Sequence, residues 1–428
     1  MEVIIERVAG LDIHKKSITA CVRTPDGSGG RSEQVRTFSA FLAGLEALRA
    51  WLLEEGVTHV AMEATSSYWL PVWRVLEDPV DADGPAVGAP FVLLLCNARH
   101  VKHVPGRKTD VADAVWLAQL LECGLLSSSF VPPADIRGLR EATRYRKRLI
   151  ETRTSEIQRI EKTLDDAICK LSTVASSTLT KSGRNMIEAL IDGERDPEVL
   201  AEMAYGRMRP KIPQLIRALD SRFAQQHAIQ LRQLFDHIDW LDGAISTLDA
   251  RIVVLTADRA DMIGRLQTVP GIGLRTAQVI VAETGGDMSR FPTAAHLASW
   301  AGLCPGQNES GGKRRSGRTR HGDQWLADAL VQAAWAAARS TDTSLAAKFR
   351  RVTGPGRDGQ RRKKAVVAVA HKLLVISYAI MASPNEVYRE LGGDYLARHD
   401  NPERRKTRLV AQLGKLGYEV ELTPVAAA

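Results

Sequence analysis

Aromatic residues are scarce in this 428-residue chain, at 5% of positions. So sparse a supply argues against a broad stacking platform for single-stranded bases. Cysteine is thin and scattered: Cys21, Cys96, Cys123, Cys169 and Cys304 include no Cys-x-x-Cys pair. An odd, dispersed set argues against a disulfide framework and against a zinc ribbon. No apolar run reaches the ~20 uninterrupted residues that a membrane span needs. The nearest approach, residues 365–382, is broken by His371 and Lys372 and follows Arg361-Arg362-Lys363-Lys364. It reads as a buried helix entered from a basic turn. The first residues, Met1 to Asp12, are too acidic and too briefly apolar for a secretion signal, so a cytoplasmic protein is expected.

What is present suits a soluble protein with real cores: 44% hydrophobic and 25% charged residues. Collagen-like, mucin-like and wholly disordered readings are excluded. The length is about three times a ~150-residue domain, so two or three domains are expected. Lys and Arg number 58 against 50 Asp and Glu, a net charge of +8. That excess is local. Residues 311–364 hold 14 Lys/Arg and 4 Asp/Glu, which leaves the remainder slightly acidic. The cations fall in runs punctuated by Gly and Ser, such as Lys313-Arg314-Arg315-Ser316-Gly317-Arg318. Such runs suit phosphate contacts that release condensed counterions. A merely solvated basic face is the bland alternative.

The first ~125 residues alternate between strand and helix patterns. Val3–Leu11, Ser17–Thr24 and Glu33–Phe38 read as strands, followed by a helix over Phe41–Glu54 and a short strand His59–Met62. A helix from Ser67 to Leu76, an apolar strand Phe91–Cys96 and a helix Asp110–Cys123 complete the series, with Thr109 as N-cap and Gly124 as stop. This is the element order of the RNase H-like fold, an α/β architecture. Segment 78–90, rich in Asp, Gly and Pro, reads as a loop.

Residues 136–265 change to long helices. Ile150, Ile157, Leu164 and Leu171 recur every seven positions on an Arg-rich helix. Leu234, Ile238, Leu241, Ile245, Leu248, Ile252 and Leu255 follow an alternating four-three spacing, the seam of a coiled coil. An intramolecular antiparallel hairpin and a dimerisation coiled coil both satisfy that pattern. The stretch 172–215 reads as a helical insertion with irregular joints. A mostly helical third unit spans 266–385. In it, Val269-Pro270-Gly271-Ile272-Gly273 between helical segments has the form of a helix-hairpin-helix. Gly271 and Gly273 could then admit a phosphate to the backbone N–H groups. A plain αα-turn is the alternative.

Four acids stand out. Asp12 lies in Gly10-Leu11-Asp12, at the end of the first strand, and Glu63 closes the strand His59–Met62. Adjacent strands ending in carboxylates would bring these two together at one sheet edge. Asp110 and Asp113, three apart, project from one face of the following helix. Together they would form a hard-oxygen site suited to Mg²⁺ or Mn²⁺, competent in phosphoryl transfer. Acids in a first helical turn are also favoured by the helix dipole alone. A carboxylate following Val60-Ala61-Met62 is harder to dismiss, since burial without a partner is costly.

Gly10-Leu11-Asp12, Met62-Glu63-Ala64-Thr65 and Lys108-Thr109-Asp110-Val111-Ala112-Asp113-Ala114 resemble the DEDD motifs of the "one-ten" insertion-sequence transposases. Further on, Pro270-Gly271-Ile272-Gly273, Phe291-Pro292, Ala301-Gly302-Leu303-Cys304-Pro305, Glu309-Ser310-Gly311-Gly312 and the run to His321-Gly322-Asp323 resemble that family's C-terminal signature. The resemblance covers most of residues 5–385 in matching order; the tail, 386–428, has no counterpart in it. It implies a RuvC-like nuclease domain over 1–135 and a C-terminal transposase domain. It also implies acids that bind metal and a nucleophilic serine at the position of Ser310. Glycines beside that hydroxyl would let a DNA strand approach, and Lys313, Arg314, Arg315, Arg318 and Arg320 would contact its phosphates. The implied partners are DNA, a structured guide RNA and further copies of the chain, in a nucleoid-associated bacterial protein. Basic helical faces over Arg137–Lys162 would hold the RNA. A simple RNase H-like nuclease or junction resolvase would need the acids but not Ser310. An actin-like ATPase would need a second Asp-Gly-Gly-type turn that is missing, and a non-catalytic scaffold leaves the acids without a role.

Overall fold

The central N-terminal strands are buried along nearly their whole length, on both faces of a five-stranded mixed sheet. The computed structural model describes residues 3–64, 66–79, 90–96, 110–306, 309–314, 317–354, 358–395 and 402–423, and the chain divides into two compact units, 1–131 and 132–428. Thr109, the expected N-cap, and most of the 78–90 loop lie outside the described residues. In the first unit the strands are β1 (Val8–Ile13), β2 (Ser17–Pro25), β3 (Arg31–Ser39), β4 (His59–Glu63) and β5 (Val92–Cys96), in the order β3-β2-β1-β4-β5. β1 pairs antiparallel with β2 and parallel with β4, and β4 pairs parallel with β5. Three consecutive strands joined antiparallel, then two joined through helices, give the RNase H-like arrangement anticipated from the element order.

Period-two alternation sends Leu11, Ile13, Val60 and Met62 to one face, where α1 (Leu42–Glu54) and α2 (Trp69–Glu77) cover them with Leu48, Leu52 and Leu76. The other face carries Val8, Ala61 and Cys96 and is covered by Ala114, Ala118 and Leu121 of α3 (Asp110–Glu122). Small residues dominate this second layer, so α3 lies close to the sheet. The first strand begins at Val8 rather than Val3. The N–H groups of Ile4 and Ile5 both donate to the Glu122 carbonyl, so this segment caps the end of α3 instead of extending the ladder.

The second unit is helical apart from one small hairpin. The long helices α4 (Ala134–Asp166) and α9 (Gln225–Leu255) lie antiparallel within one chain. Between them run α5 (Leu171–Val174), α6 (Lys181–Asp192), α7 (Pro197–Glu202) and α8 (Ile212–Leu219). Ion pairs fix the direction: as the α4 partner advances through Arg146, Arg153 and Glu156, the α9 partner retreats through Asp249, Asp242 and His237. Ile160 and Leu164 pack with Leu231, Phe235 and Ile238 in one apolar cluster, whereas Ile245 and Leu248 are only half-buried. Of the two arrangements the heptads allow, this chain uses the intramolecular one for these helices.

The remaining helices are α10 (Ala260–Gln267), α11 (Leu274–Thr284), α12 (Ala294–Trp300), α13 (Gln324–Ala338), α14 (Ser344–Thr353), α15 (Gly359–Ala382) and α16 (Pro402–Lys415). α15 is long and apolar enough to span a bilayer, yet Val366, Val369, Ala370, Leu373, Leu374 and Ile380 are buried and the helix packs against α13 and α14. It is the core helix that the interrupting His371 and Lys372 suggested. Part of the tail is docked as well. Arg265 donates to the carbonyls of Ile380, Ser383 and Glu386, and Glu390 accepts from the Ser344 N–H at 2.8 Å.

Candidate active site and nucleic-acid interface

Parallel register decides where the first two acids stand. Leu11 pairs with Met62, so Asp12 and Glu63 are the next step of the same ladder and share the face covered by α3. Gly10 sets the approach of that helix. A Cβ there would overlap the Ala114 carbonyl oxygen and the Ala118 nitrogen, so only glycine lets α3 lie this close. The end of α3 meets Ile4 and Ile5 ahead of β1, and its middle crosses Gly10. The helix therefore runs opposite to β1 and starts at the edge where Asp12 and Glu63 lie. Asp110 is its first residue and Asp113 is exposed within its first turn. The backbone thus delivers all four acidic positions to one edge.

Asp12 has its carboxylate only 13% exposed, with Oδ2 at 3.1 Å from His14 Nε2. Glu63 pairs in register with Cys96, whose thiol is pushed up to about 11 by burial first and by the Glu63 carboxylate second. A neutral thiol beside these acids leaves the edge a set of hard oxygens, the donor chemistry that fits a divalent cation of the magnesium class. Among the described residues no three acidic, His or Cys side chains stand as a closed cluster, and the side chain of Asp110 lies outside them.

In the second unit, Ser310 lies on a β-arm between α12 and α13. Strands β6 (Glu309–Ser310) and β7 (Lys313–Arg314) pair antiparallel, with Ser310 opposite Lys313 and Glu309 opposite Arg314. Gly311 and Gly312 form the two-residue turn with φ of +57° and +73°. Two positive values in succession are those of a type I′ hairpin, which glycine accepts without steric cost. Lower on the arm, Pro305 bridges Thr319 and the Gly306 N–H donates to the Arg318 carbonyl at 2.8 Å. Arg318 and Arg320 are exposed on this limb; Arg315 lies outside the described residues.

An ion network that sequence reasoning missed underlies the root of the arm. Glu283 on α11 is fully buried and receives Arg144 in a two-pronged bond, at 2.8 and 2.7 Å, and Arg140 at 3.0 Å. Arg144 also reaches Asp323 at 3.3 Å, and Asp323 caps α13 through the Leu326 N–H. Burial raises the Glu283 carboxyl above its ordinary value, opposed by the hydrogen bonds from Arg144. Nothing local distinguishes Glu283 in the sequence, because its partners are supplied from α4.

The same kind of pairing ties down several cations of the basic stretch Arg137–Lys162. Arg146 is tied to Asp249, Lys147 to Asp328 at 2.6 Å, Arg153 to Asp242 at 2.5 Å and Arg159 to Glu156 at 2.7 Å. A cavity of about 190 Å³ between α4, α11 and α13 is lined by Arg144, Arg146, Lys147 and Arg275; Arg144 pairs with Glu283, Lys147 with Asp328, and Arg146 and Arg275 share Asp249.

Gly271 and Gly273 divide their duties. Gly271, with φ of +91°, faces α13, where a Cβ would meet the Ala333 carbonyl oxygen and stand 2.9 Å from the Ala337 nitrogen. Packing alone accounts for that glycine. Gly273 precedes α11 as its N-cap, exposed and with open space before it.

Comparison with known proteins agrees with both halves of this arrangement. Residues 9–169 match the model of the DEDD transposase domain of IS110 elements, and residues 264–350 match that of the "Transposase IS116/IS110/IS902 family". The chain is 28% identical to a "Probable family 20 transposase" of Pseudomonas aeruginosa, over 73% of this chain and 79% of that one. It is 31% identical to the "Pilin gene-inverting protein" of Moraxella bovis, over 34% of this chain and 46% of that one. A segment of 46 residues is 56% identical to a 43.6 kDa protein of insertion element IS110 from Streptomyces coelicolor, 11% of each chain. With a carboxylate edge on an RNase H-like sheet matched at one end and the serine arm matched at the other, the chain belongs to the IS110 family of insertion-sequence transposases.

Proposed function

We propose that this transposase cuts and rejoins DNA through a covalent bond to Ser310. The Ser310 hydroxyl attacks a backbone phosphorus, one deoxyribose oxygen leaves and takes up a proton, and the DNA stays joined to the protein as a phosphoserine ester. A deoxyribose hydroxyl from a second strand then attacks that ester, restores a phosphodiester and frees the serine. The exchange conserves phosphodiester bonds, so it needs no external energy source. The observation that carries this reading is the position of Ser310 beside a Gly-Gly turn on a hairpin that also bears Lys313 and Arg314. Lys313, Arg314, Arg315, Arg318 and Arg320 would hold the DNA backbone and stabilise the charge that develops on the phosphate, and Gly273 would offer the α11 amides to a further phosphate.

Asp12, Glu63, Asp110 and Asp113 would hold Mg²⁺ or Mn²⁺, which supplies Lewis-acid stabilisation of phosphate charge when bound. The family resemblance adds a structured guide RNA, which selects the DNA by base pairing, and an assembly of two or four copies working on cytoplasmic DNA.

Ser310→Ala tests the central step. The variant should bind DNA as the natural protein does, yet yield no protein–DNA adduct on a denaturing gel. An adduct formed by Ser310→Ala would place the nucleophile elsewhere; strand cleavage without any adduct in the natural protein would favour a serine-independent nuclease. Recombination at full rate by protein stripped of RNA would remove the guide from the scheme.

A further inference from the structure

Most half-buried cations of the second unit have an acceptor: Arg140 and Arg144 have Glu283, Lys147 has Asp328, and Arg265 has three carbonyls. The α14–α15 pair departs from this. Lys348 on α14 and His371 on α15 are both half-buried, while Arg351, three residues after Lys348, and Lys372, next after His371, are exposed. Among the described residues none of the four has an acidic partner, and the charges that act on Lys348 are Lys372 and Arg351. The charges that act on His371 are Lys348 and Lys372.

These cations cannot escape one another by moving their helices apart. Leu345 and Ala346 of α14, and Val369, Ala370 and Leu373 of α15, are buried. Trp335 of α13 packs on Phe349 of α14, with ring centroids 5.9 Å apart, while Arg362 of α15 lies over the Trp335 ring at 5.8 Å. Apolar packing and stacking therefore hold like charges together at a cost to stability. The positive groups also form a row. Lys364, exposed, precedes Lys372 by eight residues, which places it on the same side of α15 about 12 Å away by the helical rise. A row of cations suits a chain of phosphates better than a single small anion.

We propose that Lys348, His371 and Lys372, extended by Arg351 and Lys364, form a binding site for the phosphate backbone of a nucleic acid, separate from the Ser310 arm. The assignment rests on the reading of this chain as a protein that handles DNA. It differs from the arm in needing no chemistry: its task is to hold the polyanion, whose phosphates relieve the repulsion that the free protein carries.

The test uses the full chain and fluorescence anisotropy with a labelled DNA duplex and a structured RNA of equal length, across a salt series. Lys348→Gln/Lys372→Gln should weaken binding to at least one of them several-fold. It should also make the dependence of log affinity on log salt shallower by roughly one unit per lost lysine. The thermal midpoint at low salt should hold or rise, because a like-charge repulsion has been removed. Lys372→Gln alone, at an exposed position, should show half of the change in slope if the double variant folds poorly. Arg209→Gln, whose charge is paired with Glu202 on the surface, should leave the slope unchanged. Unchanged affinity and slope in both lysine variants would overturn the site while leaving the DNA reading intact. A midpoint lowered together with binding would make the lysines structural and overturn it too. If inorganic phosphate raises the midpoint of the natural protein as far as the duplex does, the site takes a small anion and not a backbone. A natural protein that binds neither nucleic acid would remove both the site and the reading beneath it.

Discussion

Asp12 and Glu63 sit on central strands paired on both sides, under a helix whose distance is set by Gly10, whereas Ser310 sits on a two-residue strand paired only with Lys313–Arg314. The first environment holds its groups through backbone ladders and two buried layers, so their relative placement is rigid. The second holds its group through a short hairpin whose shape depends on a pair of glycines. A rigid edge suits ligands that must present several oxygens at once to a cation. A short hairpin paired by two residues a side leaves its groups less tightly fixed. Stability and activity should therefore respond differently to changes in the two places.

The sharpest separation is expected at neither functional group but at the network under the arm. Glu283→Ala leaves two arginine guanidinium groups facing a buried gap and should cost about 3–5 kcal/mol, read from denaturant melts of the second unit. A much smaller loss would show that Arg140 and Arg144 find water or other acceptors, and that the root of the arm is looser than its geometry suggests.

Gly10→Val comes next. Its side chain would press on the backbone of α3, with an expected cost of at least about 1–3 kcal/mol and loss of metal-dependent activity as the start of α3 moves from the edge. Calorimetric binding of Mn²⁺ should weaken in step; tight Mn²⁺ binding by a correctly folded Gly10→Val protein would break the argument that this glycine positions the acids.

Gly311→Val puts a β-branched residue at a positive φ and should strain the turn by about 1–2 kcal/mol. Gly311 is exposed, so the melting temperature should barely change while DNA adduct formation falls by an order of magnitude or more. Equal activity in this variant would show that Ser310 does not depend on the hairpin shape. The smallest effect is expected where a charge pair is fully exposed: Arg209→Ala should change stability by less than about 1 kcal/mol and leave adduct yield unaltered.

Much of the first unit was legible in the residues because its signals are local. Short apolar runs along Val8–Ile13 and His59–Glu63 mark buried strands, and the order of strands and helices leaves few ways to arrange them. The extension of the first strand back to Val3 went wrong since Ile4 and Ile5 are apolar enough for a strand, while their hydrogen-bond partner, Glu122, lies far along the chain. The heptads of α4 and α9 announced long helices but were compatible with two pairings, as the pattern states which residues are apolar and not which helix covers them. Gly271 was legible as a turn glycine; that α13 closes over it was not.

The residues alone gave the order of strands and helices in the first unit and picked out the four acids as candidates, because those signals depend on near neighbours and on the short-range periods of strand and helix; Ser310 stood out only through the family resemblance. Tertiary structure alone decided the fate of the charges. Arg144 meets Glu283 across 139 residues, and several other cations of the same basic helix find acids far along the chain. Lys348 and His371 come together only because α14 packs on α15. Coulomb interactions follow distance in space, and sequence separation says little about it, which is why the cations could be counted in advance but their partners could not.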